Sequence, residues 1–299
     1  LGEDGGRAGG VFRVTEGLQE MFGEDRVVDT PLAESGIVGT AIGLALFGMR
    51  PVAEIQFMGF IYPAFNQIIS HAGRMRNRSR GRFSLPMVIR APYGGGIHPP
   101  EHHSESTEAL FAHIPGIKVV IPSNPHDAKG LLVSAIRDPD PVIFLEPKRI
   151  YRAVKGEVPD DEYEVPLGAA AVVREGEQVT LIAWGAMLHT ASDAAGVLAA
   201  EGIDAELIDV RTISPLDTET IIESVKKTGR VVVVHEAPKT CGVGAEIIAL
   251  INEKAFLNLS APPQRVTGFD VVFPLLKSEH LYLPTVDRIC AAARRAMEF

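Results

Sequence analysis

Along the chain, short apolar runs rich in Val and Ile alternate with longer stretches whose apolar residues recur at helical spacing. Arg26–Asp29, Pro51–Phe57, Pro86–Ala91, Lys118–Pro122 and Pro141–Leu145 read as strands. Ile37–Phe47, Tyr62–Arg76, Ser106–His113 and Asn124–Arg137 read as helices between them, after a short helix at Glu16–Phe22. Tyr151 to Pro166 is polar and acidic, carries Pro159 and Pro166, and reads as a linker. Beyond it the alternation restarts. Strands are expected at Val179–Ala183, Ala205–Val210, Val231–His235 and Gln264–Gly268, and helices at Ala186–Ala200, Thr218–Lys226, Gly244–Phe256 and Thr285–Met297. Strands alternating with helices imply parallel sheets covered on both faces. The pattern therefore predicts an α/β protein of two domains, residues 1–150 and 168–299, joined by 151–167 and without internal repeats.

Composition narrows the function classes. At 299 residues the chain exceeds one ordinary core, and its net charge of -9 speaks against nucleic acid as a partner. Cys241 and Cys290 stand far apart, so no disulfide framework exists and a reducing cytoplasmic setting fits. The longest apolar run, Ile37 to Met49, is Gly-rich and shorter than the roughly 20 residues of a bilayer span, which leaves no membrane role. Leu1-Gly-Glu-Asp-Gly-Gly lacks the basic and apolar segments of a signal peptide.

Several stretches could carry chemistry. Glu34 and Ser35 open the apolar run in which Gly36, Gly39 and Gly43 recur, a pattern that predicts a buried helix approached closely by another element. A carboxylate at such a helix start needs a partner or a proton, unless it only complements the helix dipole. Phe57, Phe60, Tyr62 and Phe65 straddle a strand-to-helix turn, suited to core packing or to the face of a flat ligand. Between Ala91 and Ser106 lie three glycines, three histidines and two glutamates. Pro99 and Pro100 disfavour a helix that would align His98 with His102, and the spacing matches no zinc pattern. The glycine run also lacks the Gly-Lys-Ser/Thr ending of a phosphate loop. It reads as a flexible loop that presents a histidine, with the glycines as hinges. Gly242-Val-Gly244 is followed by Ile247 where a dinucleotide fingerprint needs glycine, so it leads into an ordinary helix. Arg74, Arg76, Arg78, Arg80 and Arg82 form a basic patch, either a solvated helix end or a docking surface for an acidic partner.

Asp29-Thr-Pro-Leu-Ala-Glu34-Ser-Gly-Ile-Val-Gly39, followed by Arg50-Pro-Val-Ala-Glu-Ile-Gln-Phe57, resembles the beta subunits of thiamine-diphosphate-dependent 2-oxo acid dehydrogenases. These belong to the decarboxylating components of the pyruvate and branched-chain 2-oxo acid dehydrogenase complexes. The similarity runs on through Pro115–Pro122, Asp127–Leu132, Pro141–Pro147, Asp209–Thr212 and Lys227–Arg230, and so covers nearly the whole chain in order. It implies a pyrimidine-binding domain followed by the smaller C-terminal domain shared with transketolases.

By match to the family motifs, Glu34 hydrogen-bonds the aminopyrimidine of thiamine diphosphate and promotes the tautomer that takes the thiazolium proton. Phe60 stacks on the pyrimidine, with Phe57 and Ile37 beside it; branched-chain members usually carry Tyr where Phe60 stands. His103, in the pattern His-Ser-x-Ser, exchanges protons as the acyl group passes to a lipoyl group. A potassium ion in the family is held largely by carbonyls of the segment Ser134–Pro141, which implicates Ala135, Ile136, Asp138 and Asp140. A helix end capped by Asp138 and Pro139 explains the same residues.

The Gly-Asp-Gly motif that holds the Mg²⁺–diphosphate in thiamine enzymes is missing from this sequence. The cofactor is therefore expected to be shared with an alpha subunit that holds the Mg²⁺, in an α2β2 heterotetramer that acylates a lipoyl-bearing acyltransferase core. Glu54–Phe57 and Phe144–Lys148 look more like branched-chain and Gram-positive pyruvate members than mitochondrial ones, so the 2-oxo acid stays open. An acetoin dehydrogenase beta subunit and a transketolase-like half enzyme acting on sugar phosphates are alternatives; Glu34 and His103 argue against a purely structural part. Family members carry a helix and strand before the motif Leu1-Gly-Glu-Asp4, so residues are expected to precede Leu1.

Overall fold

Capping chemistry sets many of the boundaries. In the computed structural model, which describes residues 1–299, the helices are α1 (Leu18–Phe22), α2 (Glu34–Leu46), α3 (Met75–Arg78), α4 (Glu108–Ala112) and α5 (Pro125–Arg137), then α6 (Ala186–Ala200), α7 (Thr218–Thr228), α8 (Val243–Ala255), α9 (Glu279–Tyr282) and α10 (Val286–Met297). Asn124 accepts the Asp127 N–H to start α5, with Pro125 in the first turn, where its missing N–H costs nothing. Asp217 and Thr285 start α7 and α10 in the same way, and Gly229, in the left-handed region, ends α7.

The strands are β1 (Val52–Glu54), β2 (Val88–Tyr93), β3 (Lys118–Val120), β4 (Val142–Pro147) and β5 (Ala171–Arg174), then β6 (Val179–Ala183), β7 (Ala205–Asp209), β8 (Thr212–Ser214), β9 (Val231–Val234) and β10 (Gln264–Val266). They form two sheets in the orders β1-β2-β4-β3-β8 and β10-β9-β6-β7-β5. Each has four parallel strands and one antiparallel edge, β8 on β3 and β5 on β7. Every residue of β2, β4, β6, β7 and β9 is buried, as strands covered on both faces require.

Some expectations need correction. Arg26–Asp29 forms no strand: Asp29 makes only an isolated bridge to Gly2. The stretch expected as one helix over Tyr62–Arg76 is a series of short turns, 3₁₀ at Met58–Ala64, π at Gln67–His71 and 3₁₀ at Ala72–Arg74, ahead of α3. Pro63 withholds an N–H from its first turn. The polar segment expected as a linker is docked at its end. Val165 N–H bonds Gly130 O at 3.2 Å, Ser134 Oγ bonds Val165 O at 2.7 Å, and Val165 is buried against Leu131 and Phe144. β8 lies beyond that segment in sequence yet joins the first sheet. The two halves accordingly share a cluster of 37 buried apolar residues running from Ile37 to Ala255. No helix is long and apolar enough to cross a membrane, and both cysteines are free.

The carboxyl ends of the two sets of strands meet. A Cβ on Gly185, just past β6, would lie 3.0 Å from both Ile121, just past β3, and Pro147 of β4. Along this seam Arg211 makes a two-pronged ion pair with the buried Asp127 carboxylate, at 2.8 and 3.0 Å. Asp209, at the end of β7, is fully buried and accepts from Ser123 Oγ at 3.0 Å and the Arg211 N–H at 3.2 Å.

Burial pushes the Asp209 carboxyl up from 3.8 to about 7, against the pull of Ser123 and Arg211 and with the help of Asp127. The folded chain thus keeps a proton that the unfolded chain has lost between pH 3.8 and about 7, so this group's contribution to stability falls as pH rises through that window. Asp209→Asn should abolish the loss. Its urea midpoint, compared with that of the natural chain, is expected to rise progressively from about pH 4 to about pH 7 and to level off above that. Parallel pH curves for the two chains would show that Asp209 is ionised in the fold.

Candidate active site

Glu34 is the first residue of α2, as the sequence suggests, but the glycine-bearing helix it opens is not the buried one expected. Its side chain is half-buried and makes no hydrogen bond or ion pair within the chain. Gly36, Gly39 and Gly43 are exposed, and no other element of the chain packs closely on them. That glycine face continues into Phe47, which is 89% exposed. Ile37 points the other way: at 3% exposure it belongs to the core and anchors α2, with no free surface for a ligand.

The segment after β1 packs on α2 and carries the aromatic group. Phe57 and Phe60 stand edge to face, 5.6 Å between centroids, and both are partly exposed. The His103 ring lies 4.4 Å from Phe57 and 5.1 Å from Phe60, edge-on to both. Its Nδ1 is buried without a partner. Burial lowers the His103 pKa from its usual value; His102 and Lys148 add to this, and Glu101 opposes it. Phe65 instead packs on Phe111 as core, at 5.6 Å.

The three histidines diverge. His98 is exposed, 3.7 Å from Glu279; His102 lies over Phe60 and Tyr62; His103 sits between Phe57 and Phe60. No group of three or more His, Cys, Asp or Glu is placed to hold a metal ion.

The loop that carries these histidines is built differently from a hinge. Gly94 and Gly96 take positive φ, 80° and 94°. A Cβ on Gly94 would collide with the Glu236 carboxylate, and one on Gly96 with the Arg149 side chain. Close packing and backbone geometry, not freedom, demand glycine here. The Gly94 N–H donates to Glu105 O at 3.0 Å and closes the base of the loop. Lys148 Nζ donates to Gly94 O, and Ser106 Oγ donates to Glu236 Oε1 at 2.8 Å.

Beneath this base lies a buried polar cluster that sequence reasoning missed. Tyr93, Glu108, Lys148, Trp184, His235 and Glu236 are all nearly inaccessible. The Tyr93 hydroxyl, both Glu108 oxygens, Trp184 Nε1, Glu236 Oε2 and both His235 nitrogens make no well-formed hydrogen bond, although Tyr93 and Trp184 both face the Glu108 carboxyl. Burial lifts Glu108 to about 7 and drives His235 down to about 4 and Lys148 down to about 8. Gly242 and Gly244 find their reason here, since a Cβ on either would press into the His235 ring. Only the positions of Lys148 and His235–Glu236 just past strand ends could have signalled the cluster, because ligands of open α/β sheets gather at those ends.

The residues matched to a potassium site are already supplied with cations. Arg50 Nη1 donates to the carbonyls of Ile136 and Asp138, at 2.7 and 3.3 Å. Lys118 pairs with the Asp138 carboxylate, and Arg76 pairs with Asp140 at 2.6 Å. Ala135 is buried inside α5. As they stand, these groups do not fit a potassium ion, and Asp138 closes α5 as a helix end. Arg74, Arg76 and Arg80 line a groove of about 1740 Å³ together with Val243 and Leu250, and this groove touches none of Glu34, Phe57, Phe60 or His103.

Comparison with known proteins accounts for the architecture. Residues 1–154 match the transketolase pyrimidine binding domain, and residues 168–289 match the transketolase C-terminal domain. A pyruvate dehydrogenase E1 component subunit beta from Acholeplasma laidlawii is 58% identical over 295 residues, covering 99% of this chain and 90% of that protein. The subunit of the same name from Bacillus subtilis is 55% identical over 299 residues, covering 100% and 92%. Among solved structures, a split gene transketolase described as an inactive beta4 tetramer superposes with a TM-score of 0.79 at 25% identity, covering 96% of this chain and 90% of that one. The chain belongs to the family of pyruvate dehydrogenase E1 beta subunits, built from a transketolase pyrimidine-binding domain and a transketolase C-terminal domain.

Proposed function

We propose that this chain is the beta half of a thiamine-diphosphate-dependent 2-oxo acid dehydrogenase that decarboxylates a 2-oxo acid and acylates a lipoyl group. The observation that carries the reading is an unpartnered carboxylate at the start of α2, on a helix packed against the segment that bears Phe57, Phe60 and the His103 contact. The names of the 58% and 55% identical relatives support pyruvate as the first substrate to test. Residues 1–150 would serve as the pyrimidine-binding domain and 168–299 as the C-terminal domain, with 151–167 between them and a cytoplasmic setting for the free cysteines.

When bound, thiamine diphosphate supplies the nucleophile and the electron sink that loss of CO₂ requires. Glu34 would hold a proton at the pyrimidine ring nitrogen, a task for which a carboxyl group with no partner of its own is available. Phe60 would offer its face to the pyrimidine, with Phe57 set edge-on behind it. Burial depresses the His103 pKa and so favours the neutral imidazole, and in this role His103 would pass a proton to and from the lipoyl sulfur. A diphosphate needs a metal or clustered cations. This chain places no group of three or more His, Cys, Asp or Glu to hold such a metal, which supports an alpha subunit that holds Mg²⁺ and diphosphate in an α2β2 assembly docked to a lipoyl-bearing core.

Calorimetric titration of thiamine diphosphate with Mg²⁺ should show binding only to the mixture of this chain with its alpha subunit. Tight binding to the lone chain would overturn the split site. In the reconstituted assembly Glu34→Gln is expected to cut turnover about a hundredfold or more while leaving the assembly's size in solution unchanged. His103→Ala should lower lipoyl acylation by at least about tenfold more than it lowers decarboxylation read with an artificial oxidant. Equal losses in the two assays would reject the role of His103.

A further inference from the structure

The histidine loop does not hold itself in place. Between the end of β2 and the start of α4 it makes few bonds of its own, chiefly Gly94 N–H to Glu105 O at its base and His103 N–H to Pro100 O at 2.9 Å. Its glycines rest on side chains from elsewhere, Gly94 on Glu236 and Gly95 on the Phe273 ring. Lys148 and Glu236 hold the loop's base, and its turn is held by Glu279, 183 residues away in sequence from Gly96, in the short helix α9. The Glu279 side chain is 2% exposed, and its two oxygens divide the work. Oε1 accepts the Gly96 N–H, and Oε2 accepts the His98 N–H at 3.0 Å.

A carboxylate taken out of water is stable only when its lone pairs are filled, and here two backbone N–H groups of one loop do most of that. The bond is therefore reciprocal: the loop satisfies Glu279, and Glu279 fixes the loop's turn at Gly96–His98. Five residues later the chain reaches His103, whose ring stands in contact with Phe57 and Phe60. On the other side, a Cβ on Gly59 would strike the His102 carbonyl, so the loop has little room to settle elsewhere once its turn is set.

We propose that Glu279 is a positioning residue, holding the loop 94–106 from the second sheet's side so that His103 stands at the site. The proposal rests on the role of His103 given above, and its chemistry is indirect: Glu279 touches backbone N–H groups, not the reactants. Glu279→Gln keeps the size of the side chain but presents one amide –NH₂ where an oxygen accepted, so one of the two N–H groups loses its acceptor. Misplacing a reacting group by about an ångström can cost on the order of a hundredfold in rate, so a partly released loop should show in acyl transfer.

Hydrogen exchange of this chain, with and without the alpha subunit, tests the anchor without any turnover. Peptides spanning 94–106 in Glu279→Gln should exchange at least about tenfold faster than in the natural chain, while peptides from β6 and β9 stay unchanged. In the assembly, kcat/KM for a lipoyl domain should fall about tenfold, with decarboxylation read by an artificial oxidant within about twofold of the natural rate. Glu279→Asp, which keeps both oxygens, should restore part of each loss. Unchanged exchange of the loop overturns the anchor. Faster exchange with undiminished lipoyl acylation overturns the positioning role if His103→Ala is impaired in the same assay. If His103→Ala is also unimpaired, it is the role of His103 that falls, and the anchor stands. Should Glu279→Gln fail to fold, the same comparisons are read on Glu279→Asp, where unchanged loop exchange again overturns the proposal.

Discussion

Asp127, Asp209 and Arg211 lie where strand ends of one sheet face strand ends of the other, and charge withheld from water at such a seam must be answered by fixed partners. That requirement governs how the two halves meet. Arg211 takes a positive φ of 57°, uncommon for a residue with a side chain, while its guanidinium reaches across to Asp127 and its carbonyl accepts the Ile121 N–H at 2.8 Å. β8 follows at once and pairs with β3. A local strain of backbone is thus offset by an ion pair, a cross-seam backbone bond and an added strand. The same seam holds the Glu236, Lys148 and Glu108 cluster, on which the base of the histidine loop rests.

Much of this was legible in the sequence because it follows from local pattern. The long helices α5, α6, α7, α8 and α10 and the all-buried strands stand where apolar period and capping residues put them. What escaped was whatever depends on distant partners. β5 and β8 are edge strands of only four and three residues, too short to show a period, and only β7 and β3 make them strands. The interrupted turns over Met58–Arg74 follow from packing around Pro63 and Gly73 that no helical period reveals. The candidate site divides in the same way. Glu34, Phe60 and His103 are found by motif, whereas Lys148, Glu236 and Glu279 acquire meaning only once residues far apart in sequence touch the same loop.

The glycines teach the same lesson in opposite directions. Three consecutive glycines suggested a hinge, yet Gly94 and Gly96 are required by backbone conformation and by side chains that press on them. The glycines of α2 suggested tight internal packing, yet they face outward beside Glu34. Absence of a side chain signals close approach, but the sequence does not say whether the approaching surface lies within the chain.

The placement of β8 has a consequence for how such a protein could be divided. The polar segment 151–167 looks like a natural place to break a gene in two, but β8 lies beyond it. A first fragment ending there would leave Lys118–Val120 of β3 as a bare sheet edge, its backbone groups open to pairing with other copies. Gene fission or domain shuffling at this point would therefore be selected against unless the second fragment returned to supply the missing strand, which makes the two halves one inheritance unit despite their two sheets.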